Sequence, residues 1–542
     1  MKKLLSLVLA LAVLLGLAAC SSGGAIRYDL SAPITNLDPQ FTTDPSARLV
    51  ISQVFEGLFR LGPEGEVLPA LAQEYTVSQD GLTYTFHLRQ DAQWSGNGVR
   101  VSSGGWEAGE PVTAHDFVFA LRRMFDPTAP SPFAGEFRRV ANAQRILAGE
   151  LDPQSLGVAA LDDDTLQIRL DQPDSLLLQR LAASYAMPCC QAFFRSTTAR
   201  YGLALENLIF NGPFYLRSWT ESLLSLRQNS VYVSPDPPQA FGVDFYIAQG
   251  DAGERFLAGR TDAAQLGFSA AQAAQQAGVS VTSFEGTTWV LLLNHRWNLG
   301  SQEEPLYPFT EADIRLAIAH TVDRSQFSPV LPANLRPAAT LVPPAVFYLG
   351  WPYRTLAGDS SPVVTSWELA KRYQVTGLED LGLERLPTLT LLVPEEWNLP
   401  QAAGYLQQGI TQALSVYCGL EVVDRQELED RVAAGDYQLA LYPLSGDYPS
   451  PQAFFSYFLS GGGSNYQGCA DPEFDALVDE AYAYSGRELL AAWQRAEEYL
   501  LAQGLAIPLC FETSYYAAAQ GVGGIQFSPF LSAFSFRDGR KE

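Results

Sequence analysis

The sequence predicts an α/β protein organised around an open sheet, and three stretches carry that prediction. Residues 388–444 alternate between strand and helix patterns, in the order Leu389–Val393, Gln401–Tyr417, Leu420–Val423 and Tyr437–Leu444. Such alternation favours parallel strands joined by helices. Leu82–Leu88 (LTYTFHL) alternates apolar and polar residues as a half-buried strand does. Thr113, with Asp116 three residues later, opens an apolar-periodic helix at a spacing close to a capping box.

The first residues of the chain have the pattern of an export leader. Lys2 and Lys3 precede an apolar run, residues 4–17, that is too short to span a bilayer comfortably. The letters LAAC, ending at Cys20, resemble the lipobox of bacterial lipoproteins, in which cleavage before the cysteine frees it to be diacylated. An ordinary signal peptide with a chance cysteine is the alternative. We expect residues 1–19 to be a signal peptide and residues 20–25 to be the lipidated Cys20 with a flexible tether.

Composition excludes several classes of partner. The 542 residues carry a formal net charge of −24. Nucleic-acid binding needs a cationic surface, so no nucleic-acid partner is expected. Electrostatic adhesion to anionic lipid is disfavoured for the same reason. No stretch after the leader reaches ~18 uninterrupted apolar residues, the length a spanning helix needs. The mature chain is therefore expected to be a body outside the cell, held to the membrane by its lipid.

The cysteines after Cys20 are five in number, at Cys189, Cys190, Cys418, Cys469 and Cys510. An odd count leaves at least one thiol unpaired, although an exported protein can form disulfides. Adjacent cysteines rarely bridge each other, and no C-x-x-C pattern occurs. We interpret the five as buried apolar residues rather than redox or metal groups. Any disulfide pairing stays open.

Further elements follow from local signals in chain order. Strands are predicted at Thr165–Leu170, after the turn in Phe210–Leu216, at Trp289–Asn294 and at Ala506–Phe511. One helix is predicted to begin at Thr310, with Asp313 at the capping-box spacing and with Ile314, Ile318 and Val322 on one face. A second is predicted to start at Asp471-Pro472. A third is predicted over Arg487–Gln503 and ends before Gly504.

Longer strings of the sequence resemble a known family. They are VFEGLF from Val54, DGLTYTFHLR, GEPVTAHDFV, FNGPFYLRSW and PFTEADIRLAIAHTVDR. This ordered set resembles the family 5 extracellular solute-binding proteins, the substrate receptors of peptide-importing ABC transporters, and is closest to their oligopeptide-binding branch. The Gly-rich insert Asn97–Gly105 departs from the family pattern, and we interpret it as a solvent loop. Arg260-Thr261 also replaces the acidic–apolar pair that is usual there.

The resemblance implies an architecture and a set of partners. The implied fold is two-lobed and periplasmic-binding-protein-like (type II, Venus flytrap), with an additional third domain. Its implied bounds are 26–59, 188–288 and 504–542 for lobe I, 60–187 for the additional domain and 289–503 for lobe II. A monomer is expected to close on a peptide ligand. The closed form would then dock on ABC permease subunits with their ATPases, at the outer face of the cell membrane or in the periplasm.

Asp447 is the main candidate site residue. It lies in a loop after the strand Tyr437–Leu444, and ligands bind beyond the carboxyl ends of strands in open α/β sheets. The family's peptide binders hold the α-ammonium of their ligand with an Asp in a DYN.P..F stretch. DYPSPQAFF supplies that Asp here, with Pro449 in place of Asn. Without the resemblance, a turn Asp that accepts backbone N–H groups would be the simpler interpretation.

The resemblance carries further residues into the site. They are Thr43 and Asp44 from lobe I, Phe133 from the additional domain, Gln265, Leu266 and Gly267 on a peptide-pairing strand, and Leu444, Ser445 and Tyr448 around Asp447. A plain packing role is the alternative for each. Arg425 or Leu428 falls where the family often has Trp, and Leu444 falls where an aromatic residue is common. Peptide length and side-chain preference therefore stay open.

Enzyme and metal interpretations find little support. The sequence lacks the G-x-S-x-G, H-E-x-x-H and P-loop patterns. His87, His115, His295 and His320 are scattered, so no metal site and no cofactor are predicted. The alternatives are a receptor of the same class with a non-peptide cargo, such as a nickel chelate, haem or an opine-like solute, and then an exported hydrolase or peptide chaperone.

Overall fold

The computed structural model of this protein describes residues 24–96, 109–247, 250–396 and 399–542. The predicted signal peptide, Cys20 and the insert at 97–105 lie outside the described residues. The strands are β1 (Ile26–Asp29), β2 (Phe59–Leu61), β3 (Val67–Pro69), β4 (Ala72–Val77), β5 (Thr83–Leu88), β6 (Val158–Ala160), β7 (Thr165–Arg169), β8 (Phe214–Trp219), β9 (Leu223–Gln228), β10 (Gly242–Tyr246), β11 (Ala263–Leu266), β12 (Val281–Leu293), β13 (Leu335–Pro337), β14 (Phe347–Tyr348), β15 (Trp351–Pro352), β16 (Leu389–Pro394), β17 (Cys418–Val423), β18 (Leu439–Ser445), β19 (Pro508–Ala518), β20 (Val522–Gly523) and β21 (Arg540–Lys541).

The α-helices lie between these strands. They are α1 (Pro45–Val54), α2 (Ala114–Arg123), α3 (Ala143–Leu147), α4 (Leu177–Leu181), α5 (Gln191–Ser196), α6 (Ala252–Leu257), α7 (Phe268–Gln276), α8 (Ala312–Ala319), α9 (Tyr353–Ala357), α10 (Trp367–Leu381), α11 (Leu399–Leu414), α12 (Arg425–Ala434), α13 (Pro451–Phe455), α14 (Pro472–Ala481) and α15 (Gly486–Ala502). Within the described residues, none of the helices has the length and apolar character that crossing a bilayer requires.

Three larger sheets organise these elements. Two are four-stranded, with strand orders β1-β10-β9-β8 and β4-β5-β7-β6. The third is seven-stranded, in the order β11-β19-β12-β18-β16-β17, with β13 paired to β19. The lobe and additional-domain bounds predicted from the sequence stay predictions.

Local signals in the first half of the chain gave the right elements. The Leu82–Leu88 strand is confirmed as β5, with Phe86 and Leu88 buried and His87 exposed. Thr113 and Asp116 form the predicted capping box at the start of α2. The apolar face of that helix is in the core, because a helix with residues three and four apart on one side buries that side.

The predicted parallel sheet is only part of a mixed one. β16 pairs in parallel with β17 and with β18, as the alternation at 388–444 indicates. β18 then pairs antiparallel with β12, which itself pairs antiparallel with β19. These antiparallel partners come from distant parts of the chain, so the local strand–helix alternation carries no information about them.

β12 and β19 are the longest strands, with 13 and 11 residues. The first part of β12 pairs only with β19, as Val281 does with Ala517. Its last part pairs with β18, as Leu293 does with Leu439. The two long strands therefore run from the part of the sheet that contains β11 to the part that contains β16 and β17.

Some predicted boundaries are wrong. The N-cap of α8 is Glu311, whose side chain accepts from the Asp313 N–H, and Thr310 instead ends a short 3-10 turn. α8 ends at Ala319, so Val322 is buried beyond the helix rather than on it. α11 ends at Leu414, before the predicted Tyr417, because Ser415 takes a left-handed φ of 56°.

The helix signals after residue 450 and the predicted burial of the cysteines both agree with the structure. Asp471 caps α14 with Pro472 at its first position, and Gly504 follows α15 with a left-handed φ of 61°. The five cysteines after Cys20 are buried and form no disulfide. Their predicted burial is confirmed.

Candidate functional site

A cavity of about 1640 Å³ opens between the sheets of the molecule. Typical small-molecule pockets measure roughly 300–1,000 Å³, so this one is large enough for an elongated ligand. Its wall includes β11 and the residues that follow it, the N-terminal turn of α1, the loop after β18, and part of β19. Elements that are distant in sequence therefore meet around one space.

β11 forms an edge of the seven-stranded sheet. Its described strand partner is β19 alone, with Gln265 opposite Tyr516 and Leu266 opposite Tyr515. Gln265, Leu266 and Gly267 line the cavity, and Gln265 and Gly267 are exposed to it. An edge strand presents backbone N–H and C=O groups on its outer side, which an extended chain can use.

Asp447 also lines the cavity, from the loop after β18. Its Oδ2 forms an ion pair with the guanidinium of Arg48 and accepts a hydrogen bond from Ser532 Oγ at 3.0 Å. Only 10% of the Arg48 side chain and 13% of the Asp447 side chain are exposed. Asp447, the predicted partner of a ligand ammonium, thus already has a cationic partner within the chain.

Arg48 is fixed by several contacts of its own. Asp44 caps α1 through the Ala47 N–H and so places Arg48 in the first turn of the helix. Arg48 Nε donates to Ser184 Oγ at 3.1 Å. The guanidinium carbon lies 4.8 Å above the centre of the Phe133 ring, a favourable cation–π arrangement. Phe133 itself stacks on Tyr185 with ring centres 4.8 Å apart.

Tyr448 joins the site to a buried ionic network. Its hydroxyl donates to Glu136 Oε2 at 3.4 Å, and Arg180 Nε reaches the same oxygen at 3.3 Å. Arg180 also pairs with the buried Asp174. Burial raises the pKa of the Tyr448 hydroxyl well above its ordinary value, so this group stays a neutral hydrogen-bond donor.

A second carboxylate faces the cavity from β19. Glu512 accepts from Trp289 Nε1 at 2.9 Å, and burial raises the pKa of this carboxyl to about 7. Arg425, one of the two candidates for the position where the family often has Trp, also lines the cavity and pairs with Glu396 at 2.6 Å. Leu428, the other candidate for that position, is fully buried.

Within the described ranges, no group of three or more His, Cys, Asp or Glu side chains is arranged to hold a metal ion. His295 illustrates the packing role of a histidine here. Burial lowers the pKa of its imidazole to about 3, so the ring is neutral in the folded protein. The wall of the cavity presents hydrogen-bonding groups, paired charges and aromatic faces.

Comparison with known proteins identifies the family. The model for "Bacterial extracellular solute-binding proteins, family 5 Middle" matches residues 66–466. The chain belongs to family 5 of the bacterial extracellular solute-binding proteins. The resemblance inferred from the sequence strings is confirmed, and so is the location that the family name carries, outside the cytoplasm.

Individual relatives of this solute-binding protein span nearly its whole length. The probable deoxycholate-binding periplasmic protein YgiS of Escherichia coli is 27% identical, over 92% of this chain and 90% of its own. The dipeptide-binding protein DppE of Bacillus subtilis is 26% identical, over 91% and 88%. The solved structure of Listeria monocytogenes OppA bound to peptide superposes with a TM-score of 0.77 at 23% identity, covering 96% of this chain and 99% of that one. The two-lobed fold with an additional domain is confirmed.

Most of the predicted site residues line the cavity of this solute-binding protein. Those on its wall are Thr43, Phe133, Gln265, Leu266, Gly267, Ser445, Asp447 and Tyr448. Asp44 is instead the helix cap described above, and Leu444 packs in the core with no exposed surface. Neither residue is part of the cavity wall.

Sequence reasoning missed several residues of the wall. Arg48, Tyr185, Tyr457 and Glu512 line the cavity, and Tyr457 donates its hydroxyl to the Ser445 carbonyl at 2.8 Å. Asp44-Pro45 is a helix-start signal that could have placed Arg48 in a first helical turn. No local pattern, however, connects that turn with Asp447.

Proposed function

We propose that this protein is the substrate-binding lipoprotein of an ABC importer and that it captures peptides in the cavity between its lobes. The observation that carries the proposal is the edge strand β11, whose outer side lines a large cavity. An extended peptide can add to such an edge through main-chain hydrogen bonds, which depend little on its side chains. Relatives named for dipeptide and oligopeptide binding support the same conclusion.

The proposed ligand contacts divide into two groups. Gln265, Leu266 and Gly267 pair with the peptide backbone along β11. Thr43, Phe133, Ser445, Asp447 and Tyr448 form the end of the cavity where one peptide terminus rests. Ligand favours the closed arrangement because it contacts both walls at once, and a ligand shifts an equilibrium only through such differential contacts.

The proposal includes a location and partners. Cys20 carries the lipid that holds the monomeric receptor at the outer face of the cell membrane, and residues up to 25 form the tether. Two acyl chains on one cysteine give the stable attachment that a single chain does not. The closed, loaded form docks on the permease subunits, and their ATPases drive import.

The first experiment is native mass spectrometry of the body beginning at Ser21, followed by release of whatever co-purifies. We expect a ladder of short peptides. A single non-peptide mass would overturn the peptide assignment in favour of another cargo of the same receptor class. Added peptides should also be returned with unchanged mass, because a hydrolase would shorten them.

A matched ligand control tests the edge-strand geometry. A peptide that binds is resynthesised with N-methyl groups on alternate backbone amides, which removes hydrogen-bond donors and leaves the side chains in place. We expect methylation in the register that faces β11 to weaken binding strongly and methylation in the other register to matter little. Equal loss in both registers would contradict strand addition.

A further inference from the structure

The end of the cavity at Asp447 is already charge-balanced. One carboxylate, Asp447, faces one guanidinium, Arg48, and both side chains are about nine-tenths buried. The carboxylate of Glu136, which accepts a hydrogen bond from the adjacent Tyr448, is paired with Arg180. A ligand ammonium placed beside Asp447 would therefore be a second cation that shares a single counter-ion in a poorly solvated place.

We propose that this end of the cavity selects peptides whose N-terminus is blocked and uncharged, and that Arg48 is the residue that sets this preference. The inference rests on the proposed function as a peptide receptor and specifies its substrate class. Burying a cation without a counter-charge of its own is costly, whereas burying a neutral amide that is hydrogen-bonded is not. N-acylated peptides are the simplest ligands of this kind.

Displacement of Arg48 by a ligand ammonium is disfavoured by the contacts that hold the guanidinium. Leaving Asp447 would also break the hydrogen bond from Arg48 Nε to Ser184 Oγ and remove the cation from the faces of Phe133 and Tyr185. These three contacts do not involve Asp447. Arg48 is therefore a fixed part of the wall.

Asp447 retains one acceptor that fits a neutral donor. Its Oδ2 has two partners, but its Oδ1 is buried and has no hydrogen-bond donor among the described residues. A buried acceptor without a donor is unfavourable, and a single amide N–H repairs it without adding charge. An acylated N-terminus offers one such N–H, while an ammonium offers three together with a full positive charge.

The rest of the cavity argues against an anionic end group. Its described wall carries eight carboxylate side chains and three arginines. Such a surface repels anions, and it leaves Arg48 as a partner for Asp447 rather than for a ligand carboxylate. The acidic wall therefore excludes an anionic end group, and the balanced Arg48–Asp447 pair decides between a neutral and a cationic one.

The test uses one synthetic pool of pentapeptides built from uncharged residues, divided in two, with one half N-acetylated. Binding of each half to ligand-free protein is measured by titration calorimetry. Wild type should bind the acetylated half at least tenfold more tightly. Arg48→Met keeps an unbranched side chain against Phe133 but frees Asp447, so its preference should reverse towards the free amine. Arg48→Gln serves the same purpose if the Met variant does not fold.

The matched control is Arg138→Met. Arg138 also lines the cavity but pairs with Asp479, so this variant should keep the wild-type preference. Equal binding of the two halves by wild type, or tighter binding of the free amines, would overturn the inference while leaving the peptide receptor intact. Binding of neither half would overturn the peptide function and the inference together.

Discussion

Glu497, on α15, tests how much a buried carboxylate contributes to stability by fixing the irregular segment around residue 341 to this helix. Its Oε1 accepts the backbone N–H groups of Leu341 at 2.9 Å and Val342 at 3.0 Å. Its Oε2 pairs with Arg354, and both charged side chains are less than a tenth exposed. One carboxylate from α15 thus satisfies two backbone donors and one buried cation.

The perturbation is Glu497→Gln. The glutamine carbonyl can still accept from the two backbone N–H groups, but its amide faces Arg354 without a charge. Removing one partner of a buried ion pair costs about 3–5 kcal/mol, because the remaining charge stays buried. We therefore expect the free energy of unfolding to fall by about that amount in urea unfolding followed by circular dichroism.

The control is Glu480→Gln, which removes the acid of another arginine–glutamate pair on the neighbouring helix. Arg495 and Glu480 are 49% and 46% exposed, and exposed pairs contribute only ~0–1 kcal/mol. Equal losses of stability in the two variants would contradict a special role for the buried pair. A loss of less than ~1 kcal/mol in Glu497→Gln would also contradict it, because the charge of Arg354 would then be compensated by a group other than Glu497.

Two further predictions concern other parts of the molecule. Burial raises the pKa of Asp116 from 3.8 to about 6, so its contribution to stability is largest in acid and falls by about 2 kcal/mol as the pH rises from 4 to 6. The free energy of unfolding, measured in urea between pH 4 and 6, should lose this part of its pH dependence in Asp116→Asn. The same pH dependence in wild type and variant would contradict the prediction. Gly65→Ala should weaken peptide binding roughly tenfold. The new Cβ would lie 2.3 Å from Pro449 Cγ, and Pro449 follows Tyr448 in the loop that carries Asp447. Relieving such an overlap costs ~1–3 kcal/mol, and a shift of this loop would displace the residues proposed to hold the peptide terminus. Gly81→Ala has the same kind of φ, 72° against 81°, but open space around it, so equal affinities of the two variants would refute the clash.

Elements whose causes are local were predictable. The capping box at Thr113, the alternation in β5 and the Asp471-Pro472 helix start each depend on a few adjacent residues, and the structure contains all three. Errors appeared where neighbouring signals compete. Thr310 and Glu311 can both cap a helix, and the 3-10 turn that ends at Thr310 decided between them.

The wall of the cavity was predictable only through the family resemblance. Motif positions placed eight residues there, but Asp44 and Leu444 show that neighbours in a motif need not share a surface. A strand sends alternate side chains to opposite faces, so Leu444 is buried while Ser445 is exposed. The Arg48–Asp447 pair depends on how the chain folds back on itself, which no stretch of sequence records.

The two longest strands have a consequence for how the receptor could cycle between empty and loaded forms. The β12–β19 ladder contains register shifts between Glu285 and Thr287 and between Trp289 and Val290. Bulges of this kind let a pair of strands bend. A swing at these positions would leave the ladder paired on either side of the bend. Opening the cavity would then expose little new backbone in this sheet. The empty receptor would therefore present no additional unpaired strand edge at which other chains could pair and aggregate.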